Sequence, residues 1–170
     1  MRPDSKKQQS ISTRILSHED HEAVKEILTR YWTDPEFLNE LSDNFLNYVH
    51  HTKESIDQNY QFYVAEQCDE VVGVAGFRSA PEYLLIYAQT DNPIEFYILA
   101  SKYTGRGIGE ALRLKRIEEA RRLGFSEVLL YSPKTHNESW GFHDRLGFER
   151  LGEVIDPDGE PGMAWRKRLM

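Results

Sequence analysis

The chain carries one cysteine, three methionines and no apolar run near the roughly 20 residues that cross a bilayer. Each shortage excludes something. Cys68 has no partner for an internal disulfide, and no Cys/His spacing matches a metal site, so the expectation is a metal-free cytoplasmic protein in a reducing compartment. The opening MRPDSKKQQS lacks the apolar stretch of a secretory signal, so no membrane association is expected. Bases are also short: 21 Lys and Arg stand against 28 Asp and Glu, a net charge of -7. Nucleic-acid binding needs a basic face, and this balance argues against it.

What is present is unevenly spread. Acids crowd residues 18–70, including Asp34, Glu36, Glu40 and Asp43, whereas residues 102–122 hold Lys102, Arg106, Arg113, Lys115, Arg116, Arg121 and Arg122. The basic half would suit an anionic ligand, and solvated helix faces account for much of both clusters. A length of 170 residues supports one domain with its own core. Residues 1–10 read as a disordered tail and 11–170 as a single domain.

Periodicity orders the elements. ISTRIL alternates as a strand, and Ser17 before Glu19 and Asp20 reads as the cap of a helix running to about Trp32. Pro35 opens a second helix to about His50. YQFYVAEQ and VVGVAGF flank a short turn as a hairpin, and apolar stretches at 83–88 and 94–99 are expected to continue the sheet. A helix from about Gly107 to Leu123, a strand at FSEVLLYS, a helix at about 137–146 and a terminal hairpin complete a mixed α/β order.

The chemistry concentrates in YILASKYTGRGIGEAL. Gly105, Gly107 and Gly109 sit on a turn between an apolar strand and a helix start, where backbone amides and the helix dipole stabilise an anion. Arg106 can add a side-chain contact. A P-loop would need GxxxxGK[ST] and a dinucleotide fold GxGxxG; the spacing here is GxGxG.

These residues resemble the acetyl-CoA pyrophosphate loop of the GNAT N-acetyltransferase superfamily, usually [QR]xxGx[GA], with Thr104 at the Gln/Arg place and Gly107, Ile108 and Gly109 in register. HNESWGFHDRLGF resembles the second signature, NxxAxxFYxxxGF, through Phe142, Gly147 and Phe148, with Ser139 at the Ala position and His143 at the Tyr position. The family Asn falls at His136, and Asn137, one place later, reads as a helix cap. The resemblance implies a mostly antiparallel mixed sheet of about seven strands flanked by helices, with a splayed parallel pair holding the cofactor. It implies acetyl-CoA as cosubstrate, held by Tyr97, Ile98, Leu99, Thr104, Gly105, Arg106, Gly107, Ile108, Gly109, Asn137 and Ser139. The Tyr97 amide would meet the thioester carbonyl and Leu99 the pantetheine arm.

The acceptor amine must lose a proton before it attacks. Glu95 lies two residues before Tyr97, on the same strand face, and is the candidate base. His143, as an imidazolium, is the candidate acid for the leaving thiolate. The acids at 34–43 favour a cationic amine, either a small molecule or a protein group, and a homodimer is compatible with the family. The alternative is a module of the same fold that senses acyl-CoA without turnover.

Overall fold

The computed structural model describes residues 10–169; the expected tail at 1–10 falls, but for Ser10, outside the described residues. Seven strands form one sheet: β1 (Ser12–Ile15), β2 (Gln61–Gln67), β3 (Glu70–Ser79), β4 (Pro93–Ser101), β5 (Glu127–Pro133), β6 (Glu149–Ile155) and β7 (Pro161–Arg168). Their order is β1-β2-β3-β4-β5-β7-β6, and every pairing is antiparallel except β4 with β5. The helices are α1 (His21–Leu28), α2 (Pro35–Val49), α3 (Lys53–Asp57), α4 (Glu82–Leu85), α5 (Ile108–Arg122) and α6 (Trp140–Arg145). No helix among the described residues is long and apolar enough to cross a membrane.

Alternation along the strands divides the core between the two faces. Phe62, Val64 and Val74 meet Val24, Ile27, Leu41 and Phe45 of α1 and α2 on one face. Ile94, Phe96, Val128 and Trp165 meet Ile108, Leu112 and Ile117 of α5 on the other. Asp34 caps α2 by accepting from the Glu36 amide at 3.1 Å, with Pro35 at the first helical position.

Four elements depart from the sequence reading. The stretch expected as strand at 83–88 is α4 and its turn, which buries Leu84 against Leu129, Val154 and Ala164. An apolar run without alternation does not by itself separate strand from buried helix. The first helix stops at Leu28, short of Trp32, because the following residues turn to reach the end of β4. The short α3, capped by Thr52, is too brief to show a period. The helix expected at 137–146 is a 3-10 turn over Lys134–Ser139, kinked at His136, followed by α6.

Candidate active site

The parallel contact between β4 and β5 covers three pairs, Pro93 with Glu127, Ile94 with Val128 and Glu95 with Leu129. Beyond Glu95 the strands part. β4 stays with β3 to Ser101 while β5 follows β7 to Pro133, so Phe96–Ser101 present an edge with no strand beside it. A bulge sets the opening: the β3–β4 register steps from Gly76/Tyr97 to Ala75/Leu99, and Ile98 is the extra residue, at φ 51°. Tyr97 and Ile98 therefore both pack toward α1 and α2, while Leu99 turns to the α5 side.

The glycine turn stands at the open end. Gly107 takes a left-handed φ of 80° at the N-cap of α5, and a side chain there would be strained although the space beside it is open. The first helical bond runs from the Ala111 amide to the Gly107 carbonyl at 3.0 Å, so the amides of Ile108, Gly109 and Glu110 find no partner within the helix. Thr104, Gly105, Arg106 and Gly107 are exposed, and the Arg106 guanidinium lies 3.8 Å over the Tyr103 ring. A Cβ on Gly109 would stand 3.6 Å from Phe142 and 3.9 Å from Leu99, so the turn, β4 and α6 converge there.

Position follows from close packing. A Cβ at Gly73 would lie 2.6 Å from Ile108 Cγ2, and this bare spot on β3 lets the start of α5 rest on the sheet. Arg30 donates to the Lys102 carbonyl at 2.8 Å and Tyr31 to that of Ser101 at 2.7 Å, which tie the loop after β4 to the end of α1.

Four of the seven cations in the basic run of 102–122 are already paired with carboxylates. Arg113 pairs with Glu110, Lys115 and Arg122 with Glu119, and Lys102 with Glu70. Arg106 alone of the run belongs to the glycine turn.

Glu95 lies where β4 and β5 part, 6% exposed, with Arg78 opposite it on β3. Its Oε1 accepts from Arg78 Nη2 at 3.2 Å, and its Oε2 has no partner among the described residues. Burial raises its pKa to about 7, against the attraction of Arg78. Arg78 also donates to the Tyr60 hydroxyl at 3.2 Å and lies 4.1 Å over the Tyr97 ring, whose hydroxyl accepts from Asn44 at 3.1 Å. Sequence reasoning missed Arg78, Tyr60 and Asn44; only the strand register makes the Arg78–Glu95 pair visible.

On the other face His143 packs 4.9 Å from Trp165, centroid to centroid, and 6.4 Å from Phe148. Burial, reinforced by Arg116, lowers its pKa to about 4. This direction disfavours the imidazolium expected of it from the sequence. Ser139 faces inward, its hydroxyl donating to the His136 carbonyl at 2.9 Å. Asn137 is exposed inside the 3-10 turn and does not cap α6, whose N-cap is Ser139. Across the opening, the Trp32 ring stands 6.2 Å from His136 and 5.7 Å from Phe37, an aromatic wall beside the acids of α2.

Comparison with known proteins places these features in a family. The acetyltransferase (GNAT) family model matches residues 21–148. Human N-acetyltransferase 8B is 29% identical over 94 residues, which are 54% of this chain and 40% of that protein, so the match spans less than half of the relative. A GNAT-family protein from Desulfovibrio desulfuricans superposes with a TM-score of 0.78 at 17% identity, covering 95% of this chain and 100% of its own. The yncA protein of Salmonella typhimurium, solved with its cofactor acetyl-CoA, gives 0.69 at 19% identity, with 94% of each chain covered. At these identities the structural likeness is one of fold, and it is the family model, spanning well over half of the 170 residues, that decides membership: the chain belongs to the acetyltransferase (GNAT) family.

Proposed function

We propose that the protein transfers an acetyl group from acetyl-CoA to a primary amine by direct attack in a ternary complex. The observation that carries this reading is the pairing of β4 with β5 over three residues only, with a glycine turn at the open end and a buried carboxylate at the closed end. The residues present fit the cosubstrate. Open space beside Gly105 and Gly107 and the free amides of the first turn of α5 suit a pyrophosphate. The unpaired edge of Tyr97, Ile98 and Leu99 suits an extended amide-bearing arm. Thr104, Arg106 and the Ile108 amide would flank the pyrophosphate, Gly109 would let the helix approach it, and Asn137 and Ser139 would border the arm from the turn before α6.

When bound, acetyl-CoA supplies an activated acyl group. Glu95, with one oxygen unpartnered and a pKa near 7, takes the proton of the incoming ammonium directly or through water. The Tyr97 amide donates to the carbonyl oxygen as charge develops on it. The acceptor is a cationic amine, on a small molecule or a protein, because Glu36, Glu40 and Asp43 are exposed on α2 beside Trp32 and Phe37.

The test is calorimetry with acetyl-CoA, ATP and NAD, then thiol release across polyamines, amino acids and basic peptides. Acetyl-CoA binding with thiol release is expected. Binding without release from any amine would instead support an acyl-CoA-sensing module, and absence of acetyl-CoA binding would sink both.

A further inference from the structure

Arg116 breaks the pattern of the helix that carries it. Ile108, Leu112, Arg116 and Ala120 follow one another at four-residue steps on the buried stripe of α5, and Arg116 is 3% exposed. Among the described residues no carboxylate pairs with it. Its Nη1 donates to the Gly76 carbonyl at 3.3 Å and its Nε to the Leu112 carbonyl at 3.4 Å, and the guanidinium lies 3.8 Å over the Phe96 ring. A buried cation without an anion is costly, and an apolar side chain of similar size would serve the core at least as well. The charge is therefore kept for something other than stability.

Its surroundings show where the charge acts. Gly76 is the residue opposite Tyr97 at the bulge, and Phe96 is the first residue of β4 past its last pair with β5. Phe96 borders the opening between β4 and β5, and Gly76 lies behind it, on the β3 side of β4. His143 of α6 feels Arg116 as a positive charge. The other charges acting on this pair are Arg113, on the same helix, and Asp144, which is occupied by Arg150 and the Trp165 indole.

We propose that Arg116 is a positioning residue of the acyl-transfer site, a buried cation behind the β4 bulge that stabilises the coenzyme A sulfur as a thiolate when it departs. The inference rests on the acetyltransfer reading above. In the step, the amine nitrogen bonds to the carbonyl carbon, the carbon–sulfur bond breaks, and the sulfur keeps the electron pair. One ammonium proton goes to Glu95, which returns it to solvent; the second proton, shed by the nitrogen as the amide forms, goes to water; and the thiolate takes up a proton from solvent after release. No protonated His143 is needed, which agrees with its neutral ring. Burial lowers the Arg116 pKa to about 9, so it stays charged at neutral pH.

The experiment follows the ultraviolet absorbance of the thiolate in the complex with coenzyme A as pH is raised, with desulfo-coenzyme A as the blank. In the wild type, half-ionisation is expected below the ordinary thiol value of about 8.5. Arg116→Leu should move it upward by about one unit, a roughly tenfold smaller thiolate fraction at neutral pH, and Arg116→Lys should recover most of the shift. For turnover, Arg116→Leu should lower kcat about 10- to 100-fold with the KM for acetyl-CoA within about threefold, while Tm holds or rises. Arg116→Met carries the same comparison if the shorter side chain does not fold. An identical thiol midpoint in wild type and Arg116→Leu, or equal losses in Leu and Lys together with a lowered Tm, would overturn the proposal. A wild type that does not bind acetyl-CoA would instead overturn the acetyltransfer reading itself.

Discussion

Glu95 and Arg78 face each other across the β3–β4 ladder, joined by one hydrogen bond of 3.2 Å, and the carboxylate keeps a proton more tightly than an exposed one despite its cationic neighbour. Desolvation outweighs the attraction because Glu95 is 6% exposed at the last residue of the parallel pairing. A carboxylate with pKa near 7 is suited to general base work at neutral pH.

Activity should therefore rise with pH through about 7, as Glu95 loses its proton. The same group has the opposite effect on stability. The folded protein holds the proton more tightly than the unfolded chain, so this contribution is fully present below about 4.5 and lost as pH rises through about 7. Glu95→Gln should lower kcat/KM about 10²- to 10⁴-fold and abolish that limb of the profile. Arg78→Met should move the limb above 7, because Arg78 opposes the rise caused by burial. A profile with its midpoint unmoved in both variants would remove Glu95 from the mechanism.

His143 makes the reverse contribution. The unfolded chain takes up a proton near 6.5 and the folded protein only near 4, so stability should fall as pH drops between these values. His143→Gln should flatten this part of the denaturation profile. Because the neutral ring is no proton donor, kcat should stay within about tenfold of wild type, the scale of a lost hydrogen bond of about 1 kcal/mol. Chemical denaturation at pH 5 and pH 7, with steady-state rates, checks both.

Gly107→Glu should weaken acetyl-CoA binding at least about tenfold, equivalent to about 1.4 kcal/mol. The variant places a Cβ at φ 80° and a negative charge beside the amides that would meet the pyrophosphate. Calorimetry checks the affinity, and an unchanged value would displace the cofactor from this turn.

Gly73→Val tests how the turn is held in place. Its Cβ would press on Ile108 and Leu112, at 2.6 and 3.0 Å, and lie 3.3 Å from the Ala100 carbonyl. The start of α5 should shift, with a stability loss of about 1–3 kcal/mol and weaker acetyl-CoA binding. Thermal melts with and without acetyl-CoA separate the two effects.

The sequence by itself determined the parts that local rules control. Alternation marked β1 and β2, apolar segments bounded by turns marked β3, β5 and the terminal hairpin, and helical spacing with Asp34 and Pro35 marked α2. Gly105 and Gly107, at φ 70° and 80° between strand and helix, marked the turn, because the residue type states the backbone requirement, whereas Gly109 lies inside α5. Only the tertiary structure decided the rest. The bulge at Ile98 arises from a register step against β3, and no run of β4 residues announces it. The state of Glu95 depends on strands that bury it, and that of His143 on Trp165 and Arg116, all distant along the chain. Charge followed the same division: of the basic run, a cluster in composition, Arg113, Lys115 and Arg122 pair along α5 and Lys102 pairs with Glu70 of β3, while Arg116 went inside. Residue types carry chemical capacity, but desolvation and register are properties of neighbours, and neighbours are set by the fold.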